Sequence, residues 1–344
     1  MTPMKDSKLS CSEKRNPSDK DAFIDVIITC YNEGQYIEDT LRSVLDQTAA
    51  KRIQSITIVD DGSTEATVQI LKRLEALDPR ITIEFGPGGK GISAQRNLAI
   101  GKGTAAYVAI LDGDDIWEPE KLACQTELLD QEDVLGLVYS DYYAFADGDP
   151  GSERRANAAD LSQAKNQTQA YFLCDPPILP SATIIRRKVF ESSGGFDEGI
   201  RMFEEADLWI RVSCISRFGF VNKPLTKKRY HRSSLTGANL DVMPDHVAIA
   251  LGAIKFDPDL LRFVPRRLAE RARKLGNQHY LLGNPAAARK LLKLSIALYA
   301  FNPRTWASYL VVCLIPQLSY RLLKPRLQAR RRALGFGESA GTKP

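Results

Sequence analysis

Apolar residues in the first third of the chain fall in short β-branched runs separated by longer amphipathic stretches. Ile24–Thr29, Ser55–Val59, Ile81–Phe85 and Ala106–Leu111 have the length and composition of buried strands. Between them, Ile37, Leu41, Val44 and Leu45 recur at helical spacing, and Val68, Leu71 and Leu74 share the face of a second helix. A third helix is expected around Ile92–Ile100, stopping at Gly101. Further on, the pattern predicts a helix over Glu118–Leu129, with Pro119 in its first turn. A strand at Leu137–Tyr139 should follow, then a polar surface loop over 145–168. Pro180–Arg186 resumes the order before a short helix, another helix opens at Glu204, and 245–320 is dominated by helical patterning. Strand alternating with helix predicts an α/β fold, a mostly parallel sheet with helices on both faces. A C-terminal α-helical appendage follows it.

Ligands of such sheets bind beyond the carboxyl ends of the strands. This chain places acids there three times: Glu33 after the first strand, Asp60 and Asp61 after the second, Asp112 and Asp114 after the fourth. One Asp-Gly cluster would be ordinary turn chemistry; three on one rim argue for a binding site. Asp112-x-Asp114 offers hard oxygen ligands, which suit Mn²⁺ or Mg²⁺ rather than zinc and could bridge a cation to phosphate oxygens. Arg96 and Lys90 add positive charge near the same rim. A phosphate-loop NTPase is excluded, because Glu84 stands where GPGGKG would need its first glycine and Gly91 follows Lys90 in place of Ser or Thr. The first turn, TCYNEGQY, also lacks a dinucleotide fingerprint.

Composition changes this picture in one respect. The 344 residues carry 47 Lys+Arg against 42 Asp+Glu, a formal charge of +5. The stretch Arg321–Pro344 alone holds seven basic residues and Glu338, so the preceding 320 residues sum to −1. A basic nucleic-acid-binding face is therefore not expected, and no nucleic-acid partner is predicted. The six cysteines show no Cys-x-x-Cys pair or zinc spacing and read as reduced thiols. Residues 1–21 are polar, without the apolar core of a signal peptide, and are expected to be a disordered lead.

Taken in order, DVIITCYNEGQYIEDTLRSVLDQT, IVDDGST, SAQRNLAIGKG, AILDGDD with IWEPEKL, SATIIRRKVFESSGGFDE, EEADLWIRVS and RYHRSSLT resemble the inverting family 2 glycosyltransferases of GT-A fold. The resemblance covers roughly residues 23–237 and implies a catalytic domain over 22–240. It implies a role for each motif. Thr29, Tyr31 and Glu33 would border the nucleotide base, Asp60 would contact it, and Arg96 would lie near the ribose and diphosphate. Asp112 and Asp114 match the D-x-D pair, with Asp114 the better metal ligand, and His231 would close over the diphosphate. Glu204-Glu205 falls on a Glu-Asp pair whose second acid is the general base. Glu205 is thus one methylene longer than the family pattern, which leaves Glu204 and Asp207 as alternative bases. The implied activity is metal-dependent transfer from a nucleotide sugar, UDP-linked by preference, to a glycan or lipid-linked acceptor in surface polysaccharide synthesis. A degenerate GT-A module serving as a scaffold, or a nucleotidyltransferase, are the competing readings.

Two amphipathic helices joined at Gly283-Asn284-Pro285 resemble one tetratricopeptide-like hairpin over 241–300, expected to pack on the catalytic domain or to pair two subunits. In 301–344 an apolar helix precedes the basic run. Residues 305–332 would suit docking on an anionic membrane surface, placing the protein in the cytoplasm, peripheral at the inner face of the membrane.

Overall fold

Every residue of β1 (Ile24–Cys30) is buried, which is what a β-branched run flanked on both sides by other strands requires. In the computed structural model, which describes residues 23–64, 66–86, 88–231 and 242–314, β1 lies between β2 (Ile53–Asp60) and β4 (Tyr107–Asp112), with β3 (Ile81–Phe85) outside β2. All three pairings are parallel. The crossovers are α1 (Ile37–Leu45), α2 (Thr67–Glu75) and α3 (Ile92–Lys102). Register then fixes the rim: Thr29 stands opposite Asp112, and Cys30 opposite Asp60. Strand ends 30 to 83 residues apart in sequence are thereby aligned by backbone hydrogen bonds.

The second half of the sheet departs from the parallel expectation. Its strands are β5 (Ile116–Trp117), β6 (Leu135–Ala146), β7 (Asp149–Ala156), β8 (Thr183–Arg186) and β9 (Arg217–Tyr230). The order continues β4-β8-β6-β9-β5, and β8 is antiparallel to both of its neighbours. It begins at the rim, after a 3₁₀ turn at Pro180–Ala182, and runs away from it into α6 (Arg187–Ser192). That direction brings Ser181 to the end of β4, where its Oγ accepts from the Asp112 amide at 3.1 Å. The sheet is thus parallel over its first four strands and mixed beyond them.

The loop expected over 145–168 is instead half strand. β6 runs through Tyr142–Ala146, turns at Gly148 (φ 74°), and pairs antiparallel with β7. Residues 157–166 carry no regular element but are held down: Asp141 accepts from the Ala158 amide at 2.7 Å, and the Tyr139 hydroxyl accepts from the Leu161 amide at 2.9 Å. Side chains alternate across the sheet into two cores. Ile27, Val59, Val108 and Ile110 join Trp209 on one face, while Val26, Ile28, Ile58 and Leu111 join Leu41 and Leu71 on the other. Each fully buried aliphatic side chain contributes about 1.5–3 kcal/mol relative to exposure.

The remaining helices are α4 (Lys121–Gln131), α5 (Gln167–Cys174) and α7 (Glu204–Ile215), followed by α8 (Met243–Phe256), α9 (Val264–Leu281), α10 (Pro285–Leu298) and α11 (Pro303–Leu314). α9 and α10 form the expected hairpin. Gly283 takes φ 82°, Asn284 caps the Ala287 amide at 3.2 Å, and Pro285 fills the first turn. Gly276 lets α10 approach closely, since a Cβ there would lie 2.9 Å from Leu292 Cγ. The hairpin packs on the sheet domain through α9, where Arg267 donates to the Phe172 carbonyl and Arg271 meets Asp175. The lead 1–21, most of RYHRSSLT and the basic run 321–332 lie outside the described residues.

Candidate active site

The loop after β4 is built around a position that tolerates glycine alone. A Cβ on Gly113 would stand 2.2 Å from Glu33 Oε2 and 2.8 Å from the Thr29 carbonyl oxygen. The loop is pinned by three bonds: the Gly113 amide to the Thr29 carbonyl at 2.9 Å, and Thr40 Oγ1 to the carbonyls of Gly113 (2.9 Å) and Asp115 (2.8 Å). Asp112 and Asp114 thus project from a fixed backbone, with Glu33 packed under the turn.

Arg96, 1% exposed on α3, ties this loop to α7. One guanidinium nitrogen donates to Asp112 Oδ1 at 2.7 Å and the other to Glu204 Oε1 at 2.7 Å. The guanidinium also lies 5.2 Å from the centre of the Phe196 ring. Burial alone would raise Asp112, but Arg96 and then Lys228 outweigh it and hold the carboxyl below its ordinary range. Glu205, beside Glu204, also feels Arg96, but too weakly to offset its surroundings. Burial, followed by the Glu204 charge, pushes it up to about 8.

On the opposite side of the loop, His231 at the end of β9 meets Asp114 Oδ2 at 2.8 Å. Its ring lies 4.9 Å from that of Tyr36, whose hydroxyl donates to Asp147 at 2.9 Å. Asp115 is fully buried, accepts from the Arg229 amide at 3.0 Å, and is pushed up to about 7 by burial and by its acidic neighbours against the pull of Lys228. Glu33 is raised well above the usual carboxylate range by burial, then by Asp114 and Asp112. Its Oε2 and Asp115 Oδ2 find no hydrogen-bond partner among the described residues.

These carboxylates repel one another, and their oxygens are the hard donors that a divalent cation takes. They fit Mn²⁺ or Mg²⁺ through Asp112 and Asp114. In the geometry described, no group of three or more His, Cys, Asp or Glu side chains is already closed around a metal position among the described residues. Asp114 would have to exchange His231 for the cation.

The other predicted residues divide. Thr29, 7% exposed, hydrogen-bonds to Asp112. Tyr31 stands out on the rim, 57% exposed, as a face for stacking. Asp60 is 1% exposed and faces its own loop, where Ser63 donates from both its amide (3.0 Å) and its hydroxyl. Its neighbour Asp61 is the more open acid, accepting from Gln95 Nε2 at 2.6 Å. Lys90 lines a groove of about 380 Å³ along the outer side of α3 with Gln95, Asn97 and Glu198, beside rather than within the acid cluster. Asp207 does not reach the cluster. It is 3% exposed and paired with Arg211 one turn along α7, at 2.9 Å to Nε, which removes it as an alternative base. Residues that sequence reasoning passed over are Lys228, Arg229, Asp115 and Ser181. Lys228 is raised, despite burial, by Asp115, Asp112 and Asp114. The KKRYH run (227–231) was the available signal, since alternation along β9 must turn some of those charges inward.

Comparison with known proteins agrees with this geometry. Residues 25–194 match the family described as Glycosyl transferase family 2. TuaG of Bacillus subtilis (strain 168), assigned to teichuronic acid biosynthesis as a glycosyltransferase, is 38% identical over 129 residues, 37% of this chain and 50% of that protein. Chondroitin synthase of Pasteurella multocida (strain Pm70) is 26% identical over 220 residues, 64% of this chain and 22% of that protein. The chain therefore spans half or less of the length of these curated relatives. Among solved structures, S. aureus TarS 1–349 in complex with UDP-GlcNAc superimposes with a TM-score of 0.62 at 16% identity, covering 87% of this chain and 92% of that one. The mannosyltransferase PcManGT of Pyrobaculum calidifontis, in complex with GDP-Man and Mn²⁺, gives 0.50 at 18% identity, covering 93% and 89%. With sheet order, rim acids and family match in agreement, the chain belongs to glycosyltransferase family 2 and has the GT-A fold.

Proposed function

We propose that the chain is an inverting, divalent-cation-dependent glycosyltransferase. It moves a sugar from a nucleoside diphosphate donor, UDP-linked by preference, to a hydroxyl of a glycan or lipid-linked acceptor in surface polysaccharide synthesis. The observation that carries this reading is the Arg96 bridge, which holds Asp112 and Glu204 on one buried guanidinium. It joins a carboxylate pair suited to a metal diphosphate with an acid pair suited to base catalysis. The relatives support the donor and pathway class, since TarS is solved with UDP-GlcNAc and TuaG belongs to teichuronic acid synthesis.

In this reading Tyr31, Thr29 and Glu33 border the base, with Asp60 and Asp61 behind them, and Asp112 and Asp114 hold the cation. The cation supplies charge neutralisation for the departing diphosphate. Arg96 stays fixed between Asp112 and Glu204, and His231 closes on the diphosphate once released from Asp114. Glu205 takes the proton from the acceptor hydroxyl as that oxygen attacks the anomeric carbon. A value near 8 places this base close to the working pH, where proton transfer is most effective, contributing about 10²–10⁴-fold. We also propose the boundaries 22–240 for the catalytic domain, 241–300 for the helical extension and 301–344 for the tail. No described helix is long and apolar enough to cross a membrane. Trp306, Leu310 and Leu314, spaced one turn apart on α11, are 44%, 53% and 77% exposed. With the basic run after them, they favour peripheral docking on anionic lipid.

The test is a panel of nucleotide sugars, assayed by thermal shift and turnover with Mn²⁺ and with EDTA. A nucleoside diphosphate should stabilise the protein, more strongly with Mn²⁺, and Asp114→Ala should remove the metal-dependent part. Absence of stabilisation by any nucleoside diphosphate would overturn the enzyme reading.

A further inference from the structure

Beside α7, the chain buries a cluster of charged side chains. α5 ends at Asp175, a left-handed residue (φ 49°) whose carboxylate faces α9. Arg271 Nη2 lies 2.5 Å from Asp175 Oδ2, and Arg267 Nη2 lies 3.7 Å from Oδ1. Two guanidinium groups therefore share one carboxylate. Asp207, which also acts on Arg267, is paired with Arg211, and Glu270, which Arg271 holds down, is paired with Arg273. Arg267 and Arg271 are 1% and 7% exposed; Nε of both and Nη2 of Arg267 find no hydrogen-bond partner among the described residues, and neither does Asp175 Oδ1. His246 on α8 is 3% exposed, with Nδ1 likewise unpartnered.

A buried charge without a counter-charge costs several kcal/mol, and so do orphaned donors, so the arrangement is unfavourable unless something completes it. The cluster adjoins the acid pair. His246 stacks on Phe203 at 4.8 Å and 20°, and Phe203 is the residue before Glu204. The charge of Asp175 also contributes to the rise of Glu205, after burial and Glu204. Arg271 and Asp175 each keep 8% of their side-chain surface open.

We propose that Arg271, Arg267 and His246 form an oxyanion subsite beside Glu205, which holds a phosphate or carboxylate group carried by the acceptor. This rests on the reading of Glu205 as base, and it gives the C-terminal extension a part in the reaction: α9 orients the acceptor from outside the region matched to the family. An acceptor bearing an anion would dock that group on the arginine fork, and its hydroxyl would be presented to the acid pair. Neutral acceptors would lose this hold.

The test is calorimetric titration of the full chain, saturated with UDP and Mn²⁺ so that the donor site is filled, with inorganic phosphate and separately with glucuronate. Binding of either anion, weakened tenfold or more in Arg271→Gln but less in Arg271→Lys, with UDP affinity unchanged in both, is the expected result. Phosphate and glucuronate then distinguish a phosphodiester from a uronate acceptor. No anion binding by the UDP-saturated protein, or equal binding in a folded Arg271→Gln, would overturn the subsite while leaving the glycosyltransferase reading intact. Should UDP itself not bind, that reading falls, and the loss of phosphate binding in Arg271→Gln still decides the subsite.

Discussion

Replacing Glu205 with Gln separates its chemical role from its structural cost. The carboxyl is raised from 4.5 to about 8, mainly because it is buried and then because Glu204 is beside it. At 1.36 kcal/mol per unit, holding it ionised in the folded state costs roughly 3–6 kcal/mol. The sign follows from proton counts. Below about pH 4.5 the carboxyl is protonated in both folded and unfolded chains and the penalty is absent. Between about 4.5 and 8 the folded state binds the extra proton, so stability falls as pH rises, and above 8 the penalty is complete. Gln carries no proton to lose, so the variant escapes this slope. Raised groups elsewhere, such as Glu33 and Asp115, titrate in both proteins and cancel in the difference. Melting temperatures of both proteins should be compared at pH 5.5 and pH 8.5, in EDTA and without nucleotide. The gap in favour of Glu205→Gln should widen by several degrees at the higher pH. In the same variant, transfer should fall by about 10²–10⁴ while UDP affinity is retained. A pH-independent gap would refute the burial argument, and normal turnover would refute Glu205 as base.

Other perturbations follow from the same geometry. Arg96→Gln leaves Asp112 and Glu204 without their shared cation and should destabilise the protein by about 3–5 kcal/mol in urea unfolding; a loss under 1 kcal/mol would show that the bridge is not structural. Gly113→Ala pushes a methyl group into Glu33 and the Thr29 carbonyl, so the β4 loop must shift. Loss of Mn²⁺-dependent UDP binding is expected from it, and unchanged binding would mean that the loop is not the cation site. The double variant Leu310→Glu, Leu314→Glu should lose sedimentation with vesicles containing phosphatidylglycerol. Equal sedimentation would remove α11 from the docking surface.

Much of this was legible in the sequence. The β-branched runs fixed β1 to β4, because a strand buried on both faces has no other composition. The acid clusters then marked the rim, since parallel strands end on one side of the sheet. The hairpin of α9 and α10 was equally plain from its Gly-Asn-Pro joint. What the sequence left open depends on contacts between distant segments. Direction along a strand has no local signature, so nothing in Pro180–Arg186 foretold that β8 runs antiparallel to its neighbours. The last two residues of β6, Phe145 and Ala146, and the polar β7 read as a loop, because each satisfies its backbone through the other rather than through its own pattern. Asp207 and Glu205 stand two residues apart on one helix with similar chemistry. Helical spacing already pairs Asp207 with Arg211 one turn along, whereas only tertiary packing desolvates Glu205 beside Glu204 and pushes it up. The sequence determined which residue types reach the rim. The tertiary structure decided which of them share a counter-charge, because ionisation depends on burial and neighbours, and a linear chain specifies neither.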